Sequence, residues 1–310
     1  MLRILQAQPQ LTEGGYQVSV VNYSDHESLK YALRGIDTVI STVTGPNQIE
    51  LIRAAVAARV RRFAPAEFEG PPSLRPQNDY LDRSRLLARS WLQYYAQHIQ
   101  STVFVCGILY ERFQPGGLQQ TRIGLTSQFS GEGDYIMNCR TMSAQVPALD
   151  TDGNPTVTIC LTAAQDVARF VTRSIDLRQW PPELRMCGQR MTVDDLVFLV
   201  QRLKGTPSLT ARVPVFSPPE LPENRLTSPL IRLGRQFNPL YYHTQASLGS
   251  ELSLALAQGD HSRAVRIETL IATAEGRYDY NQVNLHRLFP DVQTIRFQDW
   301  FCAKWGLQQA

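Results

Sequence analysis

DHESLKYALRGIDTVIST, residues 25–42, changes its period halfway along. Ser24 and Asp25 can accept hydrogen bonds from the first free amides of a helix, and Leu29 and Leu33 then fall on one helical face. Gly35 suits the left-handed residue that closes such a helix. DTVISTV, residues 37–43, is then short and β-branched, as a buried strand is. Just before this stretch, YQVSVVNY, residues 16–23, alternates apolar and polar side chains and reads as another strand. Strand, helix and strand at this spacing make a βαβ unit, and a chain that repeats it builds a parallel sheet flanked by helices.

The repeat continues in both directions. RILQA (3–7) predicts a strand ahead of residue 16. Downstream, residues 45–60 predict a helix with Ile49, Ile52, Ala55 and Val56 on its buried stripe. RRFAP (61–65) predicts a strand ended by Pro65, residues 83–98 a helix, and STVFVCGIL (101–109) one further strand. After an irregular, glycine-rich stretch, PTVTICL (155–161) and residues 162–175 return to a strand and a helix. Thr192 and Asp195 have capping-box spacing ahead of an apolar run, so a helix starts there. VPVFSPPELPEN (213–224) is too proline-rich for a helix or a central strand, whereas residues 246–259, 262–276 and 297–306 read as helices.

With 310 residues and 43% apolar content the chain can bury a large core. Its 31 basic and 28 acidic side chains leave a formal charge of only +3, with no basic stripe among aromatics, which argues against a nucleic-acid partner. Cys106, Cys139, Cys160, Cys187 and Cys302 are far apart without metal spacing, and so read as reduced thiols in a cytoplasmic protein. The histidines have no helix-face metal spacing and no Gly-x-Ser-x-Gly elbow is present, so neither a metal nor a serine nucleophile is expected. MLRILQAQPQ is neither a signal nor a transit peptide, and no apolar run approaches the ~18 residues of a membrane span. The lysines are Lys30, Lys204 and Lys304 alone.

The order of phrases resembles the NmrA-like, isoflavone-reductase-like group of atypical short-chain dehydrogenases. The resemblance is carried by residues 25–42, by RRFAPAEFEG (61–70), by VTRSIDLRQWPPELRMCGQRMTVDDL (171–196) and by VNLHRLFPDVQTIRFQDWFCAKWG (283–306). It implies an α/β fold, a doubly wound, Rossmann-like and mostly parallel sheet with a smaller α/β substrate domain. The first domain would span residues 1–120, with a strand and helix returning near 155–177, and the substrate domain 121–310. It also implies NADP as cofactor, held across the C-terminal ends of the strands. Ser41, Thr42, Val43, Thr44, Gln48, Pro65, Ala66 and Phe68 would then face the cofactor, and Arg85, Arg89, Gly107, Ile108, Leu109 and Phe113 a small-molecule substrate.

Departures from the family pattern bear on chemistry. The family opens with a strand and a Gly-x-x-Gly-x-x-Gly turn, whereas Gly14 and Gly15 here precede a strand, and the chain starts at what resembles the second strand. An N-terminally truncated sheet is the expectation, whether by true loss or because the protein starts further upstream. The family's cation for the adenosine 2′-phosphate falls at Ala7, and its lysine near Leu87, among Arg83, Arg85 and Arg89. Arginine stays protonated, so it orients a carbonyl or an anion and does not relay protons. Proton handling is therefore expected of Glu67, Tyr80 or Tyr110. The resemblance implies NAD(P)H-dependent reduction of an aromatic or polyketide-like molecule of secondary metabolism. A cofactor-independent cyclase or isomerase, and a non-catalytic dinucleotide-sensing regulator, are the alternatives.

Overall fold

A computed structural model describes residues 2–4, 9–124, 129–147, 157–205 and 236–307, with residues 2–4, 9 and 10 by backbone alone. Ala7 and the proline-rich 213–224 lie outside the described residues. The elements run in the order β1 (Leu2–Ile4), α1 (Pro9–Glu13), β2 (Val18–Val20), α2 (His26–Ala32), β3 (Thr38–Ile40), α3 (Pro46–Ala57) and β4 (Arg62–Ala64). Next come α4 (Arg85–Tyr94), β5 (Gln100–Ser101), β6 (Val103–Val105), β7 (Ile108–Leu109), β8 (Met137–Asn138), β9 (Ser143–Pro147) and β10 (Thr158–Thr162). The remainder is α5 (Ala164–Ile175), β11 (Glu183–Arg185), β12 (Gln189–Thr192), α6 (Val193–Lys204), β13 (Leu240–His243), α7 (Gln245–Ala257), α8 (His261–Ala274), α9 (Asn284–Leu288) and α10 (Phe297–Trp305). Two compact units share these elements: residues 1–68, 78–105 and 171–185 form one, and residues 69–77, 106–170 and 186–310 the other.

In the first unit every strand pair is parallel: β1 with β2, β3 with β4 with β5, and β6 with β11. Asp25 caps α2 by accepting from the amides of Glu27 and Ser28 at 3.0 and 3.1 Å, and Gly35 takes φ +73° beyond the helix end. Gly15, at φ +81°, makes a turn into β2. Leu29, Leu33, Ile52, Phe63 and Leu92 interlock as the core, each fully buried branched side chain contributing roughly 1.5–3 kcal/mol. Removing the Asp25 cap leaves two amides without that acceptor. Asp25→Ala is expected to lower stability by about 1 kcal/mol in urea denaturation, and an unchanged midpoint would show that the cap is dispensable.

Arg62 in β4 is 2% exposed, and its two terminal nitrogens are engaged while Nε is a buried donor without a partner. Its guanidinium donates to the carbonyl oxygens of Ile175 and Leu177, both at 2.7 Å, and of Arg178 at 3.0 Å, and lies over the Trp180 ring. A cation thus ends α5, where the helix dipole is negative.

The second unit holds two mixed sheets, ordered β12-β10-β7 and β13-β9-β8, with antiparallel β10–β12 and β8–β9 pairs. STVFVCGIL is not one strand. Gly107 takes φ +67° and divides it, and β7 pairs with β10 while β6 pairs with β11. A side chain at Gly107 would run into the carbonyl of Cys160, so glycine is needed for this close approach. Tyr110, Phe113, Phe297, Trp300 and Phe301 pack edge-on and tilted as an aromatic core. Glu111 accepts from the amide of Ala164 with both oxygens, at 3.0 and 3.1 Å, and caps α5.

Candidate functional site

At the C-terminal ends of β3 and β4 the first unit brings two loops and the start of α4 together. The loop after β3 is shaped from within: Ser41 Oγ accepts from the amide of Val43 at 3.2 Å, and the Ser41 amide donates to Ala64 O at 2.8 Å. Gly45, at φ +73°, precedes α3 and donates to the carbonyl of Arg83 at 3.1 Å. Gln48, in the first turn of α3 and fully buried, accepts from the amide of Ala66 at 2.6 Å and so ties the first loop to the second. Because that amide fixes which atom is the acceptor, Gln48 Nε2 is a buried donor without a partner. In the second loop Glu67, 0% exposed, receives Arg89 Nη1 at 2.5 Å. Arg83 and Ser84 both adopt positive φ where the chain turns into α4.

The expected cofactor-facing residues therefore divide by role. Thr42 is exposed, and Val43, Thr44 and Phe68 are half-buried, so these present surface at the strand ends. Ser41, Gln48, Pro65 and Ala66 are buried and hold the loops in shape. Phe68 stacks on Phe104 with ring centroids 5.8 Å apart. Arg85 is nearly buried, at 9% exposure, and Arg89 is engaged with Glu67. Leu87, where the family lysine would fall, is half-exposed. Lys30 pairs with Glu27 on α2, and Lys204 sits over Trp305.

The expected phenols fall in different units, Tyr80 in the first and Tyr110 in the second. Tyr80 is in the segment before α4 and 42% exposed. Tyr110 is buried in the core of the second unit, where its hydroxyl donates to the carbonyl of Ile295 at 3.1 Å and burial pushes its pKa far above the usual phenol range. The Tyr110 hydroxyl proton is thus engaged within the second unit. The anticipated substrate loop is likewise a strand and a tight turn: Gly107 packs on Cys160, Ile108 and Phe113 are buried, and Leu109 is half-buried. What the sequence reading missed is the Glu67–Arg89 pair. The only advance signal was a carboxylate among apolar neighbours in RRFAPAEFEG, a run of residues that had to enter the interior together.

The parallel strands, the flanking helices and the loops at the strand ends define a Rossmann-like α/β protein. Comparison with known proteins agrees on the fold. No protein-family model matches the chain. It is similar to "Oxidoreductase swnN" of Metarhizium robertsii, 26% identical over 160 residues, and covers 41% of that protein's length with 51% of its own. A protein of the same name from Arthroderma benhamiae is 21% identical, covering 93% of this chain and 91% of the relative. Among solved structures, AtPrR2 with NADP+ and (+)pinoresinol superposes with a TM-score of 0.65 at 16% identity, over 96% of this chain and 84% of that one. Isoflavone reductase does so with a TM-score of 0.64 at 14% identity, over 97% and 88%.

Proposed function

We propose that the chain is an NmrA-like oxidoreductase that uses NADPH or NADH to reduce a small aromatic or polyketide-like molecule of secondary metabolism. The observation that carries this reading is the junction of the two strand-end loops, where Gln48 binds Ala66 and keeps a buried, partnerless donor, Arg89 binds Glu67, and Thr42, Val43 and Thr44 present surface. A partnerless buried donor costs about 1–3 kcal/mol, a penalty retained where a ligand or water completes the site. The names of the relatives and the NADP+ in the AtPrR2 structure support the same reading.

The residues fit one half of the cofactor better than the other. The loops after β3 and β4 suit the nicotinamide and its ribose, which supply the hydride when bound. For the pyrophosphate the family's glycine turn has no counterpart in Gly14 and Gly15, which precede a strand. This chain's own part is to offer the Thr42 and Thr44 hydroxyls to the ligand, and to keep Glu67 oriented by Arg89 as the proton-handling group.

Two results are expected in calorimetric titration of the whole chain. NADPH binds with a dissociation constant above ~1 μM, and NADPH and NADH differ by no more than a few fold, because no cation stands at residue 7 to meet the 2′-phosphate. Submicromolar NADPH binding would overturn the weak-cradle reading. No binding of either dinucleotide, together with no oxidation of NADPH by any of a panel of aromatic ketones and enones, would overturn the reductase and leave the isomerase or regulator. The absence of lysine from these loops favours those two as the second reading.

A further inference from the structure

The second unit contains a cavity of about 390 Å³ that none of the chemistry above uses. It lies among β8, β9, β13, α7 and α8, and its volume is within the roughly 300–1,000 Å³ of small-molecule sites. Arg263 and Arg266 line it from α8, three residues apart and hence on one helical face. Their acidic neighbours hold them loosely: Arg263 is 3.5 Å from Glu251 and Arg266 is 3.8 Å from Asp134. Charge-assisted bonds are shorter, roughly 2.7–2.9 Å, as between Arg190 and Asp279 at 2.6 Å or Arg296 and Asp299 at 2.7 Å.

Both carboxylates have other neighbours. Asp134 Oδ2 accepts from the amide of Gly131 at 2.6 Å, and Glu251 Oε1 faces His243 Nδ1 at 3.4 Å. The guanidinium groups, each with five N–H donors, are therefore underused, while Ile136, Met137, Ile267 and Leu270 supply an apolar wall. We propose that this cavity binds a small organic carboxylate, its charged end on Arg263 and Arg266 and its apolar body against those four side chains. Arg263 and Arg266 with Asp134 and Glu251 sum to zero formal charge, so one carboxylate adds a single negative charge against two underused forks, whereas a dianion would add two beside both carboxylates. This assignment does not rest on the reductase reading, because binding is measured without dinucleotide.

The test uses the full chain titrated at low salt with 2-naphthoate and with the neutral, isosteric 2-naphthamide. Naphthoate is expected to bind at least about tenfold more tightly than the amide. In protein carrying ¹³C-methyl methionine, its ring should shift the Met137 methyl resonance, which locates the site without any substitution. In the double variant Arg263→Gln and Arg266→Gln the preference should shrink to within about twofold. Absence of naphthoate binding, equal affinity for acid and amide, an unmoved Met137 resonance, or an unchanged preference in a folded double variant would each overturn the proposal.

Discussion

Replacing Arg62 by methionine is expected to lower the unfolding free energy by roughly 3 kcal/mol or more, the largest loss for a single side chain of the first unit outside its apolar core. The guanidinium is buried and serves three backbone carbonyls at 2.7 to 3.0 Å. Hydrogen bonds from a charged donor contribute about 1.5–3 kcal/mol each, though not additively, and a cation at a helix C-terminus adds up to about 1 kcal/mol. Methionine has similar reach and restores apolar contact with Trp180, but donates nothing, so the deficit isolates the hydrogen bonds. Lysine keeps the charge and loses the planar fork, and its variant should fall between the two. Urea unfolding of the native chain and both variants checks the order. A methionine variant within about 1 kcal/mol of native would show that solvent replaces Arg62 at these carbonyls.

This arginine also marks the limit of what the sequence shows. Residues 25–42 were legible because a helix cap, a helical face and a β-branched run are local signals, and Asp25, Leu29 and Gly35 take the positions their chemistry favours. Arg62 looked like an ordinary charge beside Arg61, yet the two differ: Arg61 is on the surface with Asp37, while Arg62 points inward to carbonyls more than 110 residues away. Tyr110 failed for the same reason. An aromatic near a strand end has the same sequence signature in a pocket wall as in a core, and its partner Ile295 is 185 residues distant. STVFVCGIL hid its break because only the exchange of strand partners at Gly107 divides it. Local periodicity places elements, whereas contacts between remote segments decide which polar groups are structural.

That distinction sets the second large effect, on turnover. Glu67→Gln is expected to reduce turnover by about a hundredfold or more, the usual range for removing a general acid or base, with little change in the circular dichroism spectrum. Of the three groups expected to handle a proton, Glu67 is held at the loop junction by Arg89, while Tyr80 is 42% exposed and Tyr110 donates to Ile295. Tyr80→Phe and Tyr110→Phe should therefore turn over at near-native rates on any substrate the native chain reduces with NADPH. On that proposal Arg89, whose Nη1 meets a carboxylate oxygen of Glu67 at 2.5 Å, acts through it as a positioning residue. Arg89→Ala should lower kcat rather than merely raise KM, and Arg89→Lys should recover part of the loss. Arg85→Ala should mainly raise KM for a carbonyl or anionic substrate. If Glu67→Gln folds and keeps near-native turnover, the proton comes from elsewhere, and the Glu67–Arg89 pair is a structural tie between the loop and α4.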